Sequence, residues 1–524
     1  MKRTVIIIAN VWNPARGGGE PARPAAVWVE NGRISDITTV EAAPRPGTRP
    51  DIDVLSHPFG YVMPAFVDAH FHLLSLAYKS LRCDLSTAQS AAEVGESLAE
   101  YARAHGGEQS IVGVDFDESE WRDTALPTRA MLDSISHDRP LYARRVCSHV
   151  GVANTALLDR LESSNRFIDR DTGRIVEDAV FEANRLTKPP AHQQIEAVDG
   201  ALAHLHALGI TAIHDIIDPG TLDVYVEGLR RSQRPLRIDT FFHVPAREFS
   251  AAAAPLAALR ERGVRALGIK IFSDGSMGGR TAALHENYAD GNGNGDLLVN
   301  PAMLQTELEA CARQHIACAV HAIGDRALAT VLDAMEAARN ATSKRARFRI
   351  EHAEVIGPNE MERCRALKIP LVMQPNFVRN WGGEDGMYEK RLGHERWLTH
   401  NPVASLTRAD VPFVFSSDGM PAGPLFGLRG ATLHANTGER IGPAEAFYRY
   451  TSAASDVFAE WEENAVQTPR VAVGARADLV VLSAHPLLTD VDRVRVEATV
   501  ADGVAVYRAP EIKKKSTSHS NLRR

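Results

Sequence analysis

The sequence predicts an α/β fold. It is a (β/α)8 barrel of the TIM type, with a composite β-sandwich domain made from both chain ends and an inserted subdomain. Three observations carry that prediction. Strand-like and helix-like runs alternate through the centre of the chain. The two ends share a different texture, short apolar runs broken by Gly and Pro turns. The central apolar strands run into polar residues at their C-terminal ends, where a barrel carries its chemistry.

Residues 1–62 read as all-β. Val5–Ala9, Ala26–Glu30 and Ile34–Thr39 are strand-like, and Asn31-Gly32 turns between the last two. Residues 467–510 have the same pattern, with Ala477–Leu482, Val494–Val500, the turn Asp502-Gly503 and Val504–Tyr507. These two segments make the composite β-sandwich. The tail, 511–524, is polar and basic and is expected to be disordered.

Residues 63–466 read as the barrel. Its strands are Val62–His72, Ile210–Ile216, Ile238–Val244, Ala266–Phe272, Ile316–His321, Phe348–His352, Ile369–Gln374 and Val411–Ser416. Helices fall between them. Glu196–Leu208 carries an apolar face and stops at Gly209, and Asn300-Pro301 starts a helix running to Gln314. The pattern alone also allows a doubly wound open sheet. Two stretches exceed any loop. The first, about 75–190, contains a helix at Ala91–Ala104 and strands at Ile111–Val114 and Leu141–Arg144, and reads as a subdomain roofing the barrel mouth. The second, Asn376–Pro402, carries Trp381, Tyr388, Arg391 and Trp397 and reads as a lid.

At 524 residues and 44% hydrophobic content the chain can bury a large core. A formal net charge of −7 argues against nucleic acid or an anionic membrane as partner and leaves a small-molecule substrate. Five cysteines with no CxxC pair argue against a disulfide framework and for a reducing cytoplasm. The apolar run Val5–Ala9 is too short for a secretory leader, and no stretch is long enough to span a membrane. A homodimer is the assembly left open.

The strongest local signal is Pro64-Ala65-Phe66-Val67-Asp68-Ala69-His70-Phe71-His72. Alternate strand residues face one side, so His70 and His72 point together at the active end of a barrel strand. Two imidazoles there make half of a divalent metal site. Taken alone, the pair reads more readily as one core and one surface histidine than as metal ligands. His321 and His352 also end apolar strands, and Asp418 directly follows one. That coincidence around one ring points to a metal centre, although Ser417-Asp418-Gly419 is also good turn sequence.

Lys270 lies inside a strand, where a lysine is costly unless paired or altered. Either it pairs with Asp274, or its amine has taken up CO₂ to become a carbamate ligand bridging two metals. His149, in the inserted segment, either hydrogen-bonds a substrate carbonyl or oxyanion, or is structural. Arg280 either binds an anionic group or is solvated. Trp121, Trp381 and Trp397 either line a pocket or fill a subdomain core.

The motif set resembles the amidohydrolase superfamily, and within it the N-substituted formamide deformylase-like branch. The resemblance covers nearly the whole chain. It rests on the His70-Phe71-His72 strand; Thr128-Arg129-Ala130-Met131-Leu132-Asp133 before Arg139-Pro140; His149 with Asn154; Gly209-Ile210-Thr211; Lys270 with Asp274-Gly275-Ser276; His321-Ala322-Ile323-Gly324-Asp325-Arg326-Ala327; Ile350-Glu351-His352-Ala353; Ser417-Asp418; and Gly474-Ala475-Arg476-Ala477-Asp478-Leu479. The branch often has proline nearer the aspartate; here Met420 precedes Pro421. The resemblance implies metal ligands at His70, His72, His321 and His352, with Lys270 as a carboxylated bridge and Asp418 as acid/base. It implies one or two divalent ions per chain, zinc first, and hydrolysis of a C–N bond other than a peptide bond. Two other readings stand beside it: a mononuclear heterocycle deaminase of the same superfamily, and a non-catalytic regulatory homologue.

Overall fold

The computed structural model describes residues 4–510, apart from residues 20, 108, 124, 163–164, 244–252, 343–345 and 462–468. The expected disordered tail, 511–524, lies outside the described residues.

Eight parallel strands form the central sheet: Phe66–Phe71, Ile210–Ile217, Arg237–His243, Arg265–Phe272, Ala317–Ala322, Phe348–His352, Leu371–Met373 and Phe413–Phe415. They pair in chain order from first to eighth. The last strand meets the first through its C-terminal turn, where the Asp418 N–H donates to the His70 carbonyl at 3.0 Å. This is the near-closed (β/α)8 ring expected from the alternation. Apolar alternation builds its two layers. Val67, Ala69, Ala212, Ala319, Val372 and Val414 pack inside the ring. Ile213, Ile269, Val320, Ile350 and Phe415 face outward, under helix residues such as Leu202, Leu304 and Leu328.

The first barrel strand is shorter than the expected run Val62–His72. Residues up to Pro64 belong to a different sheet, in the long strand Ile52–Pro64. Pairing changes at that point: the Ala65 N–H donates to Asp478, and the Phe66 N–H to Gly209. His72 falls just beyond the strand, at the start of the helix Leu73–Lys79. The helix before the second strand is Ala191–Ala207, five residues earlier at its start than its apolar face suggests, because its first turn is polar and follows Pro190. Gly209 ends it at φ +80, and a Cβ there would lie 2.8 Å from Val480 and 3.0 Å from Phe66. Only glycine admits both the turn and that approach.

Both chain ends contribute to one seven-stranded sheet. Its order is Val504–Arg508, Val496–Ala501, Leu479–Leu482, Ile52–Pro64, Thr4–Val11, Arg23–Glu30 and Arg33–Thr38. The sheet curls, so that Arg33 bridges Arg476 and the Ile34 N–H donates to Ala475. It encloses a core of its own that includes Ile7, Val27, Val62, Val481 and Val500.

The long insertion holds a five-stranded sheet: Arg174–Val176, Val150–Ala153, Leu141–Arg145, Ile111–Phe116 and Cys83–Asp84. Three of these strands are only two to four residues long, too short for periodicity to reveal. The segment expected as a lid is a run of short helices, Pro375–Trp381, Met387–Leu392 and His394–Trp397. Phe377, Trp381, Tyr388 and Trp397 are buried there against Met277, Tyr288 and Ile323. No helix among the described residues is long and apolar enough to cross a membrane.

Candidate metal centre

Two breaks in the strand pleat aim the site. Phe66 and Phe71 both lie in the outer layer, while Val67 and Ala69 lie inside. Strict alternation cannot put residues 66 and 71 on one face. A register shift against the second strand, between Ile213 and Asp215, supplies the extra residue. His70 and His72 thereby join the inner face. The sixth strand turns similarly at its end. Arg349 and Glu351 face inward, making contacts with His214 and His70. His352, the next residue, also reaches inward because its φ is +75. Positive φ in a non-glycine residue is strained, and Ser148, Glu177, Ala353 and Asp418 around the same mouth share it.

The buried imidazoles each have one nitrogen fixed. His70 Nδ1 donates to Glu351 at 2.6 Å. His352 Nδ1 donates to the Gln374 side-chain oxygen at 2.8 Å. His321 Nε2 donates to the Gly275 carbonyl at 2.9 Å. Every acceptor is an oxygen, so the opposite nitrogen carries the lone pair. The rings are adjacent: His70 to His352 is 5.0 Å between centroids, and His321 to His352 is 4.5 Å. Burial first, then neighbouring cationic or imidazole groups, holds all three well below the ordinary imidazole pKa. They are neutral, as metal ligands must be.

Asp418 Oδ1 lies 3.4 Å from His70 Nε2 and 3.2 Å from His72 Nε2. Donor atoms of these three residues fall within 4.8 Å of one another. Burial would raise the Asp418 carboxyl, but His70 and His72 outweigh it and leave it below the usual range. Asp68 fixes the turn beneath. Its carboxylate accepts from the Ser417 N–H at 3.0 Å and from the Ser417 hydroxyl.

Lys270 is fully buried, and among the described residues its Nζ has no hydrogen-bond partner. It sits 4.8 Å over the Phe272 ring. Burial pushes its ammonium down to about 8, against the pull of Glu351 and Asp418. The alternative pairing with Asp274 is not made. Asp274 accepts from the Ala283, Ile323 and Gly324 N–H groups and approaches His321 at 3.4 Å.

The insertion brings His149 to this mouth, 5.5 Å from His321 between ring centroids. Its Nδ1 donates to Glu177 at 2.7 Å. Burial opposes the His149 charge, but Glu177 outweighs it and lifts the pKa to about 9. The seven candidate residues therefore surround one place, and all but Lys270 line the same open cavity. Arg280 does not. It pairs with Asp290 at 3.0 and 2.9 Å beside a separate recess. Trp121 and Trp397 are core, with their indole N–H groups donating to the Ala88 and Gly382 carbonyls. Trp381 lines a small compartment behind the site.

Sequence reading assigned no role to Asp68, Glu177, Glu351 or Gln374. Asp68 and Glu351 stand inside quoted motifs, which is signal enough to suspect them. Glu177 and Gln374 lie far along the chain from the histidines they hold, with no local mark.

The chain has relatives over nearly its whole length. YtcJ of Bacillus subtilis (strain 168), an amidohydrolase by name, is 28% identical over 523 residues, covering 93% of this chain and 97% of that protein. The N-substituted formamide deformylase of Arthrobacter pascens is 27% identical over 534 residues, covering 92% and 94%. The crystal structure of an uncharacterized metal-dependent hydrolase from Pyrococcus furiosus superposes with a TM-score of 0.68 at 27% identity, over 92% of this chain and 100% of that one. The sequence model described as "Amidohydrolase family" matches residues 60–507, a span that contains the barrel and every residue of the site. The chain belongs to the amidohydrolase family.

Proposed function

We propose that the chain is a metal-dependent hydrolase of a small-molecule C–N bond, of amide or formamide type. One observation carries the reading: three buried, neutral histidines each have one N–H fixed on an oxygen, and two nitrogens among them, Lys270 Nζ and His321 Nδ1, have no partner among the described residues. Unpaired buried polar atoms call for a ligand. The donor set fits a divalent ion, zinc first, which His70, His72, His321 and His352 would hold, with Lys270, as a carbamate, supplying an anionic oxygen ligand for one or two ions. Such an ion would polarise a carbonyl and would lower the pKa of a water to roughly 7.

The chain's own groups divide the remaining work. Asp418 takes the proton of the attacking water on its carboxylate and delivers it to the leaving nitrogen. His149, protonated and braced by Glu177, donates to the carbonyl oxygen as negative charge develops there. The resemblance of the whole chain to a formamide deformylase supports the bond class.

A mononuclear deaminase is the second reading, favoured by the tight grouping of His70, His72 and Asp418 alone. Metal content per chain by mass spectrometry separates them. Two ions support the bridged hydrolase, and one ion indifferent to Lys270 supports the second reading. Turnover of an amide and formamide panel tests the bond class directly.

Two results are expected here. His149→Ala lowers kcat by about 10²-fold with metal retained; an unchanged rate would assign His149 to structure. Turnover that needs the His149 proton falls as pH rises through about 9. Glu177 is what raises that value, so Glu177→Gln moves the falling limb to lower pH, read from a kcat profile.

A further inference from the structure

A column of polar groups runs up the inside of the barrel to the candidate ligand His70. Small residues line the inner face of the ring, Ala69, Ala212 and Ala319 among them, and leave its axis room for a long side chain. Arg349 takes that room. It stands opposite Ala319 in the strand pairing, and it is fully buried. A buried guanidinium is costly unless it is paired. Its Nε donates to Glu351 Oε1 at 2.6 Å, and its Nη1 donates to His214 Nδ1 at 2.7 Å. Its charge also lies 4.1 Å over the Phe241 ring and 5.5 Å from that of Phe458.

These contacts fix directions at both ends. A guanidinium can only donate, so His214 Nδ1 carries the lone pair and its Nε2–H is turned to Asp239, 3.7 Å away. Asp239 meets Arg265 at 2.9 Å, and Arg265 is the exposed first residue of the fourth strand, at the barrel floor. At the upper end each Glu351 oxygen has its own donor, Oε1 from Arg349 and Oε2 from His70 Nδ1. One donor leaves a carboxylate free to turn about its last bond; two donors on separate oxygens fix its plane. The His70 lone pair is then held at Nε2, which faces Asp418 at 3.4 Å. Stability alone does not ask for this arrangement, because apolar residues of similar volume fill such a space as well as a buried ion pair does.

We propose that Arg349 is a positioning residue for the metal centre. Anchored on His214, it holds the Glu351 carboxylate in the plane that orients His70. The proposal rests on the metal reading above and adds to it a residue that touches neither metal nor substrate.

The test is zinc retention by the full chain against a competing chelator, read as a dissociation constant and independent of turnover. Arg349→Met fills the space and removes the donors. It is expected to weaken zinc by about 10- to 100-fold, the range for lost partners of a ligating histidine. Arg349→Lys keeps the charge but cannot make both contacts, and it recovers part of that loss. Glu351→Gln also weakens zinc, and adding Arg349→Met to it changes the affinity no further, because Arg349 acts through Glu351. Additive losses in the double variant overturn the proposal, as does wild-type affinity in Arg349→Met. If Arg349→Met does not fold, Arg349→Lys decides: an intermediate affinity upholds the positioning role, and wild-type affinity shows that charge alone suffices and overturns it. A wild-type chain that holds no zinc removes the metal reading and this proposal with it, whereas firm zinc binding indifferent to residue 349 removes the proposal alone.

Discussion

Replacing Asp418 by asparagine is expected to lower kcat by about 10²- to 10⁴-fold, the range typical of a lost acid/base group, while bound metal stays near the wild-type level. Asparagine tolerates the positive φ of +55 at this position. Its side-chain oxygen can still face His72 Nε2, 3.2 Å away in the native chain. The Asp68 bonds that hold the turn come from Ser417 and are untouched. What the variant lacks is a group that accepts a proton and returns it. Steady-state rates and metal content are measured on the same preparation. Metal lost together with activity would make Asp418 chiefly a ligand.

Lys270→Ala is expected to reduce metal from two ions per chain to one or none and to remove turnover. The amine is fully buried, and among the described residues nothing accepts a hydrogen bond from it. Leaving such a donor unpaired costs about 1–3 kcal/mol, and more when it is charged. A pKa lowered to about 8 puts an appreciable neutral fraction near pH 7.5, and the neutral amine is the form that combines with CO₂. The check is metal content together with a ¹³C carbamate signal from wild type grown with labelled bicarbonate. A wild-type chain with one ion and no such signal, unaffected by the substitution, returns Lys270 to a structural role.

The barrel was legible because its strands are apolar runs that alternate with helices. Helix starts were readable where chemistry marks them. Asn300, for example, accepts from the Ala302 and Met303 N–H groups before Pro301 begins the turn. The His70–His72 spacing correctly implied that both face one way. It could not say which way, since counting from Val67 and Ala69 would send His70 outward. The register shift that turns it inward depends on pairing with residues near 214, and one strand's sequence does not encode that. Glu177 and Gln374 escaped for a related reason, because their roles exist only once distant segments meet. Arg280 was a reasonable anion candidate from its glycine-rich loop, and Asp290 takes it instead.

The strand Ile52–Pro64 has a consequence for synthesis of the chain. On one side it pairs with Thr4–Val11, and on the other with Leu479–Leu482. A ribosome has therefore released the whole barrel, with Asp418 and every histidine of the site, before the second partner exists. During that interval Tyr61–Pro64 presents an open edge immediately upstream of the strand that carries His70, and an open edge invites pairing with another chain. Completion of the scaffold thus comes late in synthesis, well after the barrel. A chain truncated before residue 479 would hold all the candidate ligands yet be prone to self-association.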